Sequence, residues 1–506
     1  MEKKPDMIRT CWTIVLLVCF QSLLTTSQAQ AQEQKQAQAQ PFFEKFRSVA
    51  PLELVCLDID RTHREGHHFN VANVFPEGIL AKSYGQSWFL PKNDVEAFGD
   101  AQFEKFREQL ALGAKLDGSR LVKINGGKSL LLKKMFPING QTSFLAMMSI
   151  PRFRALELKG VCTVDFDSKG IPTANISREA PKYLLGNKPC FNVYSNGKDR
   201  AQFASCISSP LPRQAIPRKT KFIGYFRKVN GKVMFRPEGF PHATLSDTAK
   251  LVTTQLDKNG WGNARTIDVS AQDGRFLAIA NNYAVFLNPA NTRGLETVSQ
   301  LNAIDFEGNR WVLHKKVNPK SEILCKWHGD SFFVSQVIPG RSFAWDMNQS
   351  RRPPGVVVEY DANNGEKLRT IKPPAGSYRL VGNINVAKDG TIFMHGIRAL
   401  RKGELPVPET RIEQRRNSTI THTGRFAILR CPPGAKEFQL LAEIPSVLRK
   451  RAPKNLVESD GYIYFGDRAP DFLYPEDTLD AEMGEAIYRL PLTFKTKRAK
   501  VERTSE

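Results

Sequence analysis

Long apolar runs are scarce in this chain of 506 residues. Beyond the N-terminal segment nothing approaches the roughly 18 consecutive apolar residues that a membrane helix needs, which excludes a helical membrane protein past that point. Cysteine is sparse as well. Of the 8 present, Cys11 and Cys19 fall in the N-terminal apolar segment, and the rest (56, 162, 190, 206, 325 and 431) are scattered without a CxxC pair. That spacing excludes a dense disulfide scaffold and CxxC-type zinc or redox chemistry. Buried thiols and disulfides remain alternative readings, and Cys190 with Cys206, which flank one loop-like segment, is the first pair to test. Local catalytic and nucleotide signatures are missing too: there is no G-x-S-x-G nucleophile elbow, no Walker loop and no dinucleotide fingerprint. Negative charge is in deficit, with 51 Asp and Glu against 73 Lys and Arg, a formal net charge of +22.

What is present begins with an address. Lys3, Lys4 and Arg9 precede the short apolar core "TIVLLVCFQSLL", and "SQAQA" at 27–31 supplies small residues at the cleavage positions. A signal peptide over residues 1–31 is expected, with a secreted or extracytoplasmic destination. Residues 32–42 read as a low-complexity polar leader and 501–506 as a disordered tail. Removing 1–31 takes away three positive and two negative side chains and leaves +21. So basic an exported chain is expected to be drawn to polyanions, an anionic glycan or another envelope component. No nucleic-acid motif is seen, and no transmembrane segment is expected in the mature chain.

Helical periodicity is rare. "DAQFEKFREQLAL" (100–112) is the best case, with Asp100 as cap and Phe103, Phe106 and Leu110 on one face. It reads as a short insertion, about 95–115, in a chain otherwise built from brief apolar runs with Gly, Asp and Asn at the corners. Four runs recur as a unit of two hairpins: "ILCKWHGDSFFVSQVIPG" with "VVVEYDANNGEKLRTI", "INVAKDGTIFMHG" with "GRFAILRCPPGAKEFQLLAEI", and "LVESDGYIYFGD" with "AIYRLPLTFKTKRAKV". "TIDVSAQDGRFLAIANNYAVFLNPANTRGLETV" reads as another unit, cornered at Asp273–Gly274. Asp-Gly between alternating apolar residues marks a hairpin, and tandem four-strand units are the grammar of a β-propeller. The fold class is all-β: one propeller over residues 43–500 with six to eight four-stranded blades, seven narrowly favoured. A tandem of β-sandwiches is the alternative.

On these hairpins, clearest over 260–500, the chain resembles exported propellers with PQQ-like, NHL-like or WD40-like blades. Weaker continuations are "VCTVDFDSKGIPTANI", "YFRKVNGKVMFRPEG" and "LELVCLDIDRTHREGHHFNV". The PQQ-type signature places a docking tryptophan after Asp-x-x-x-Gly. Here Asp361 and Gly365 are followed by Arg369, so a quinone oxidoreductase is disfavoured and no cofactor is expected. The same turn departs from a calcium loop, because Gly365 comes one place early and Lys372 stands where the last carboxylate belongs. Asx-turn geometry accounts for it.

Candidate sites follow from the long links between the second and third strands of three units, 338–355, 395–424 and 468–485. Equivalent links in a propeller emerge on one face, and insertions there build binding surfaces. The first carries Phe343, Trp345, Arg351 and Arg352. The second is basic, with Arg398, Arg401, Lys402, Arg411, Arg415 and Arg416. The third carries Asp471, Tyr474, Glu476, Asp477 and Asp480. Aromatic residues with arginine suit an anionic or glycan ligand, so Phe343, Trp345, Arg351, Arg352, Arg411 and Tyr474 are the expected binding residues. The alternative is a lyase or glycosidase using His395 with Asp471, Glu476 or Asp477. "HREGHH" places His63 and His67 at i,i+4, a candidate metal pair, although its glycine and strand-like flanks favour a solvated turn. "CKWHGD" reads as a first corner, with His328 and Asp330 as turn residues.

Overall fold

The structure, a computed structural model, describes residues 51–59, 70–83, 86–99, 102, 105, 106, 108, 109, 116, 117, 121–124, 130–138, 141–150, 155–168, 170–181, 192–208, 224–229, 232–237, 248–270, 273, 275–288, 299–317, 321–337, 355–374, 378–399, 424–444, 455–468 and 485–493. The expectations for residues 1–50, for His63 and His67 and for the tail lie outside them. The chain is all-β, with seven antiparallel blades in a ring. Helix is confined, among the described residues, to positions between Gln102 and Gln109 and a 3₁₀ turn at Lys92–Asp94. No helix among the described residues is long and apolar enough to cross a membrane.

Blade 1 comprises Asn70–Phe75, Gly78–Ser83, Gln86–Pro91 and Val122–Lys123, and the helical positions fall in the link before its last strand. Blade 2 is Leu130–Ile138, Gln141–Ile150, Ala155–Phe166 and Pro172–Glu179. Blade 3 is Asn192–Ser195, Ala201–Ser208, Thr248–Asp257 and Arg265–Ser270, with Gly260–Trp261 added beside its third strand. Blade 4 is Arg275–Ile279, Tyr283–Asn288, Ser299–Asp305 and Arg310–Val317. Blade 5 is Glu322–His328, Ser331–Val337, Val356–Asp361 and Lys367–Ile371. Blade 6 is Arg379–Val386, Ile392–Ala399, Gly424–Cys431 and Gln439–Ile444.

Blade 7 takes only three strands from the C-terminal end, Val457–Ser459, Tyr462–Arg468 and Glu485–Pro491. Its fourth is the N-terminal strand Glu53–Ile59, antiparallel to Glu485–Pro491 with Leu54 opposite Tyr488 and Leu57 opposite Ala486. The ring is thereby closed by hydrogen bonds between the two ends of the described chain. Glu53 pairs with Arg489, whose guanidinium lies 4.6 Å above the Tyr462 ring. Val55, Cys56 and Ile487 then pack with Val71, Ile79 and Leu90 of blade 1.

Interior strands read as continuous apolar runs because both faces of each blade are covered. In "RFLAI" Ile279 faces blade 3 with Ala204, Leu251 and Ile267, while Ala278 joins Trp327, Phe332 and Tyr360 of blade 5. Alternation sends successive side chains to opposite neighbours. Phe332 and Phe333 likewise divide between blades 4 and 6. Cys56, Cys162 and Cys431 are buried free thiols and Cys325 is a partly buried one; burial pushes the Cys162 and Cys431 thiols up to about 11. Cys190 lies outside the described residues.

The blades depart from the sequence pattern at several points. Residues 53–59 and 70–75 belong to blades 7 and 1 and form no hairpin, and the strand beside Glu485–Pro491 in blade 7 is the N-terminal Glu53–Ile59, while "FKTKRAKV" lies outside the described residues. "YFRKVNGKVMFRP" is a two-stranded sheet of its own, Gly224–Val229 with Lys232–Pro237, inserted between the second and third strands of blade 3. Asp273–Gly274 joins blade 3 to blade 4, because Arg265–Ser270 pairs with Thr248–Asp257. The first corner of blade 4 is Asn281–Asn282, a turn with no Asp-Gly signal.

The Asp361–Gly365 turn is a docking corner. Asp361 Oδ1 accepts from the N–H groups of Asn363 (2.7 Å) and Asn364 (3.1 Å), which occupies the oxygen within the turn. Gly365 has φ +76° and sits under Trp311 of blade 4, so a Cβ there would meet the indole Nε1 at 2.9 Å. Arg369 docks in the other direction. It pairs with Glu359 and donates from Nη1 to the Ala435 carbonyl of blade 6 at 2.5 Å.

Leu57→Ala, in the closing strand and fully buried, should lower stability by roughly 2–5 kcal/mol, read as a reduced urea midpoint. Leu368→Ala, 51 % exposed on the outer strand of blade 5, should change it by less than about 0.5 kcal/mol. Equal effects would show that the terminal strand is dispensable. Gly365→Ala meets both a left-handed backbone and the indole, and should cost roughly 2–3 kcal/mol. Calorimetry on Gly390→Ala, at φ +89° with its nearest contact at an ordinary 3.6 Å, separates the indole clash from the backbone strain.

Candidate functional site

The links between second and third strands are placed by their anchors. In blades 5, 6 and 7 they leave after Val337, Ala399 and Arg468 and return at Val356, Gly424 and Glu485. The blade 3 link, carrying the extra hairpin, leaves and returns at the equivalent positions, so all four open at one end of the ring. Phe343, Trp345, Arg351, Arg352, Arg411, Tyr474, Asp471, Glu476 and Asp477 lie outside the described residues.

Two residues assigned to the second link are elsewhere. Strand two of blade 6 runs to Ala399, so His395 is mid-strand, between Val381 and Ile428, with no exposed surface. Arg398, 2 % exposed, donates from Nε to Glu443 at 2.6 Å, and Tyr378 Oη donates to the same oxygen at 2.6 Å. Burial and Glu443 push the Tyr378 hydroxyl up to about 12. Arg398 is therefore part of the blade, and the basic link begins after it. A strand-capping arginine and a loop arginine look alike when the strand's end is marked only by the chain turning polar.

The other end of the ring, where first strands turn into second strands, carries the described polar cluster. In blade 3 the Asn196 side chain organises the corner: its Oδ1 accepts from the backbone N–H of Lys198 (2.9 Å), Asp199 (3.1 Å) and Arg200 (2.9 Å). Gly197 takes φ +75° and Gly329 φ +55°. Gly329 N–H donates to the Asn196 carbonyl at 2.7 Å, which ties the corner of blade 3 to that of blade 5. Blade 4 sits behind the contact, with Asn281 taking a hydrogen bond from Arg200 (3.3 Å) and giving one to Asn363 (2.6 Å).

Three basic side chains meet at this junction. Lys326 and His328 are two residues apart on one strand and so share a face. The His328 ring lies against Gly197, its Nδ1 2.7 Å from where a Cβ would stand, and the Lys198 stem lies across Gly329 with Nζ 3.0 Å from the equivalent point. Among the described residues neither lysine has an ion-pair partner, and His328 Nε2 is buried without a hydrogen bond. Burial holds the His328 imidazole down at about 4, aided by Lys326 and Lys198 and opposed by Asp389 of blade 6, and burial also lowers the Lys326 amine. Glu458 of blade 7 is raised by burial and by Asp389. No group of three or more His, Cys, Asp or Glu among the described residues could hold a metal ion.

"CKWHGD" thus marks more than a turn: His328 ends the first strand and meets a corner from another blade. Strand alternation reveals its pairing with Lys326, but nothing local reveals Lys198.

No protein-family model matches the chain, and no curated protein matches it by sequence. Among solved structures it is similar to a Pyrococcus horikoshii acylaminoacyl peptidase, at 9 % identity and a TM-score of 0.40, covering 85 % of this chain and 52 % of that one. It is also similar to the β-propeller domain of the Trilobed protease from Pyrococcus furiosus, at 11 % identity and 0.29, covering 67 % and 78 %. A Synechocystis apocarotenoid oxygenase matches at 12 % identity and 0.33, covering 74 % and 71 %. The chain spans about half the length of the peptidase. The class defined by the fold is the seven-bladed β-propeller.

Because the His328 imidazole is held near 4 in the folded state against an ordinary 6.5, the unfolded chain takes up its proton first as pH falls. Its contribution is intact above about 6.5 and is lost as pH drops toward 4. Up to about 3 kcal/mol is at stake, at 1.36 kcal/mol per unit. Unfolding midpoints measured from pH 7.5 to 4 should fall less steeply for His328→Asn than for the unaltered protein; parallel curves would contradict the assignment.

Proposed function

We propose that this chain is an exported propeller that binds an anionic partner, an acidic glycan or another envelope component, at the end of the ring carrying the links between second and third strands. The observation behind this reading is that blades 3, 5, 6 and 7 place their long links at that one end. Phe343, Trp345, Arg351, Arg352, Arg411 and Tyr474 are the side chains assigned to contact the partner. Guanidinium groups suit carboxylates and sulfates because their planar donor fork matches two oxygens at once.

The charge supports the same reading. Arg369, Arg398 and Arg489 are paired with Glu359, Glu443 and Glu53 within blades, and the chain without residues 1–31 still carries a formal +21. That surplus is available to an external polyanion. The burial of His395 in its sheet favours binding over a hydrolytic or lyase mechanism using that imidazole.

The test compares retention on immobilised heparin and on a neutral glycan at low salt. Heparin should retain the protein, and Arg351→Ala with Arg352→Ala and Arg411→Ala should elute at clearly lower salt with an unchanged unfolding midpoint. Negligible retention on both columns, or unchanged elution of the triple variant, would overturn the proposal.

A further inference from the structure

We infer that Lys198, Lys326 and His328 form a second ligand site, at the opposite end of the ring, for one small oxyanion group: a carboxylate, sulfate or phosphate. This inference does not rest on the reading given for the links, since it uses other residues at the other end.

The argument starts from the corners. Gly329 N–H to the Asn196 carbonyl at 2.7 Å fixes blades 3 and 5 against each other, and Asn196 Oδ1 gathers three backbone N–H groups to set the path of residues 196–200. Neither corner can slide independently. The side chains they carry are directed by that frame, with Lys198 laid over Gly329 and the imidazole laid over Gly197. Both glycines have left-handed φ, and a Cβ at Gly197 would strike the imidazole. The close approach of the imidazole therefore needs glycine at 197, whereas at Gly329 it is the left-handed φ of +55° that favours glycine.

This frame holds two ammonium groups, the partly buried Lys326 and the exposed Lys198, beside a neutral imidazole. Lys198 and Lys326 have no carboxylate within ion-pair distance among the described residues, and His328 Nε2 is buried with no partner. Elsewhere in the described blades the buried or partly buried cations Arg369, Arg398 and Arg489 each have a glutamate in contact. The two ammonium groups repel each other, and a buried nitrogen without a partner forfeits its hydrogen bond to water. An oxyanion resolves both at once: its oxygens accept from two ammonium groups and from Nε2–H. The negative charge of Asp389 in blade 6 is felt at His328. It restricts the ligand to one anionic group and disfavours a long polyanion.

The ligand source is either a free small anion or the terminal acidic group of a larger molecule, and the test separates them. The full chain is titrated with phosphate, sulfate or acetate at constant ionic strength, with chloride as control, while the histidine ring signals are followed by NMR. His328→Asn assigns the His328 signal. Binding should move that signal saturably, and Lys198→Ala with Lys326→Met should weaken the response at least tenfold while leaving heparin retention intact. A glucuronate-terminated oligosaccharide forms the second arm: displacement of a bound small anion by it identifies a terminal acidic group as the ligand, and failure to displace identifies the free anion. A His328 signal that no anion moves beyond the chloride control overturns the site. An equal response in the double variant does so too. If the double variant does not fold, the His328 titration in the unaltered protein decides alone.

Discussion

The pairing of Glu53–Ile59 with Glu485–Pro491 is the contact on which the rest of the ring depends. A propeller blade is a twisted sheet whose two faces are apolar, so every blade needs a neighbour on each side. Six blades are local in sequence, and a linear stack of them would leave two apolar faces in water. Borrowing the last strand of blade 7 from the start of the domain removes both exposed faces in one step. It also places Val55 and Cys56 against Val71 and Ile79 of blade 1. The bond between the chain ends is therefore also a packing element of the first interface, and losing it exposes the first and last blades together.

Between closed blades, the corners do the docking. The corner at Asp361–Gly365 receives Trp311 from blade 4, and the outer strand it leads into sends Arg369 to the Ala435 carbonyl of blade 6. Lys372 continues that junction: its N–H donates to the Lys436 carbonyl at 3.0 Å and its own carbonyl accepts from Phe438 N–H at 2.9 Å. One blade uses an indole against a glycine and the next uses a guanidinium against a carbonyl. A repeat defined by docking geometry tolerates either. That explains why a signature written in tryptophans fails here while the architecture stands.

Hairpins were legible wherever a corner was built by Asp and Gly. In blades 5 and 6 the sequence pattern is in phase with the strands because Asp361–Gly365 and Asp389–Gly390 fall between paired strands. Blade 4 was read out of phase because its first corner, Asn281–Asn282, lacks that signal, while Asp273–Gly274 lies between blades. The N-terminal strand was legible as a strand and illegible as a partner, since pairing between chain ends leaves no local trace. For the site, the positions of the long links were visible as interruptions of the strand pattern. The contact of Lys198 with Gly329 was not, because it depends on two corners brought together by the ring. His395 and Arg398 were placed one step too late because a strand bearing a histidine and an arginine resembles the start of a polar loop.

The division of labour between the two cationic side chains gives the two ends their different chemistry. Arg369, Arg398 and Arg489 are each matched to a carboxylate through Nε, where the planar fork presents its donors to the oxygen at little cost on burial. A lysine ion pair, Lys250 with Asp268 at 3.4 Å, is surface-exposed, at 52 % and 80 %. An ammonium is a compact, strongly hydrated charge, and placing it in a partly buried corner without a partner runs against that pattern. Lys326 occupies such a corner, two residues from a histidine and beside a second lysine held there by a backbone hydrogen bond between blades. The partly buried Lys326, the exposed Lys198 and the neutral His328 imidazole, whose Nε2 is buried without a partner, stand together there, and that juxtaposition is the ground for proposing an anion supplied from outside the chain.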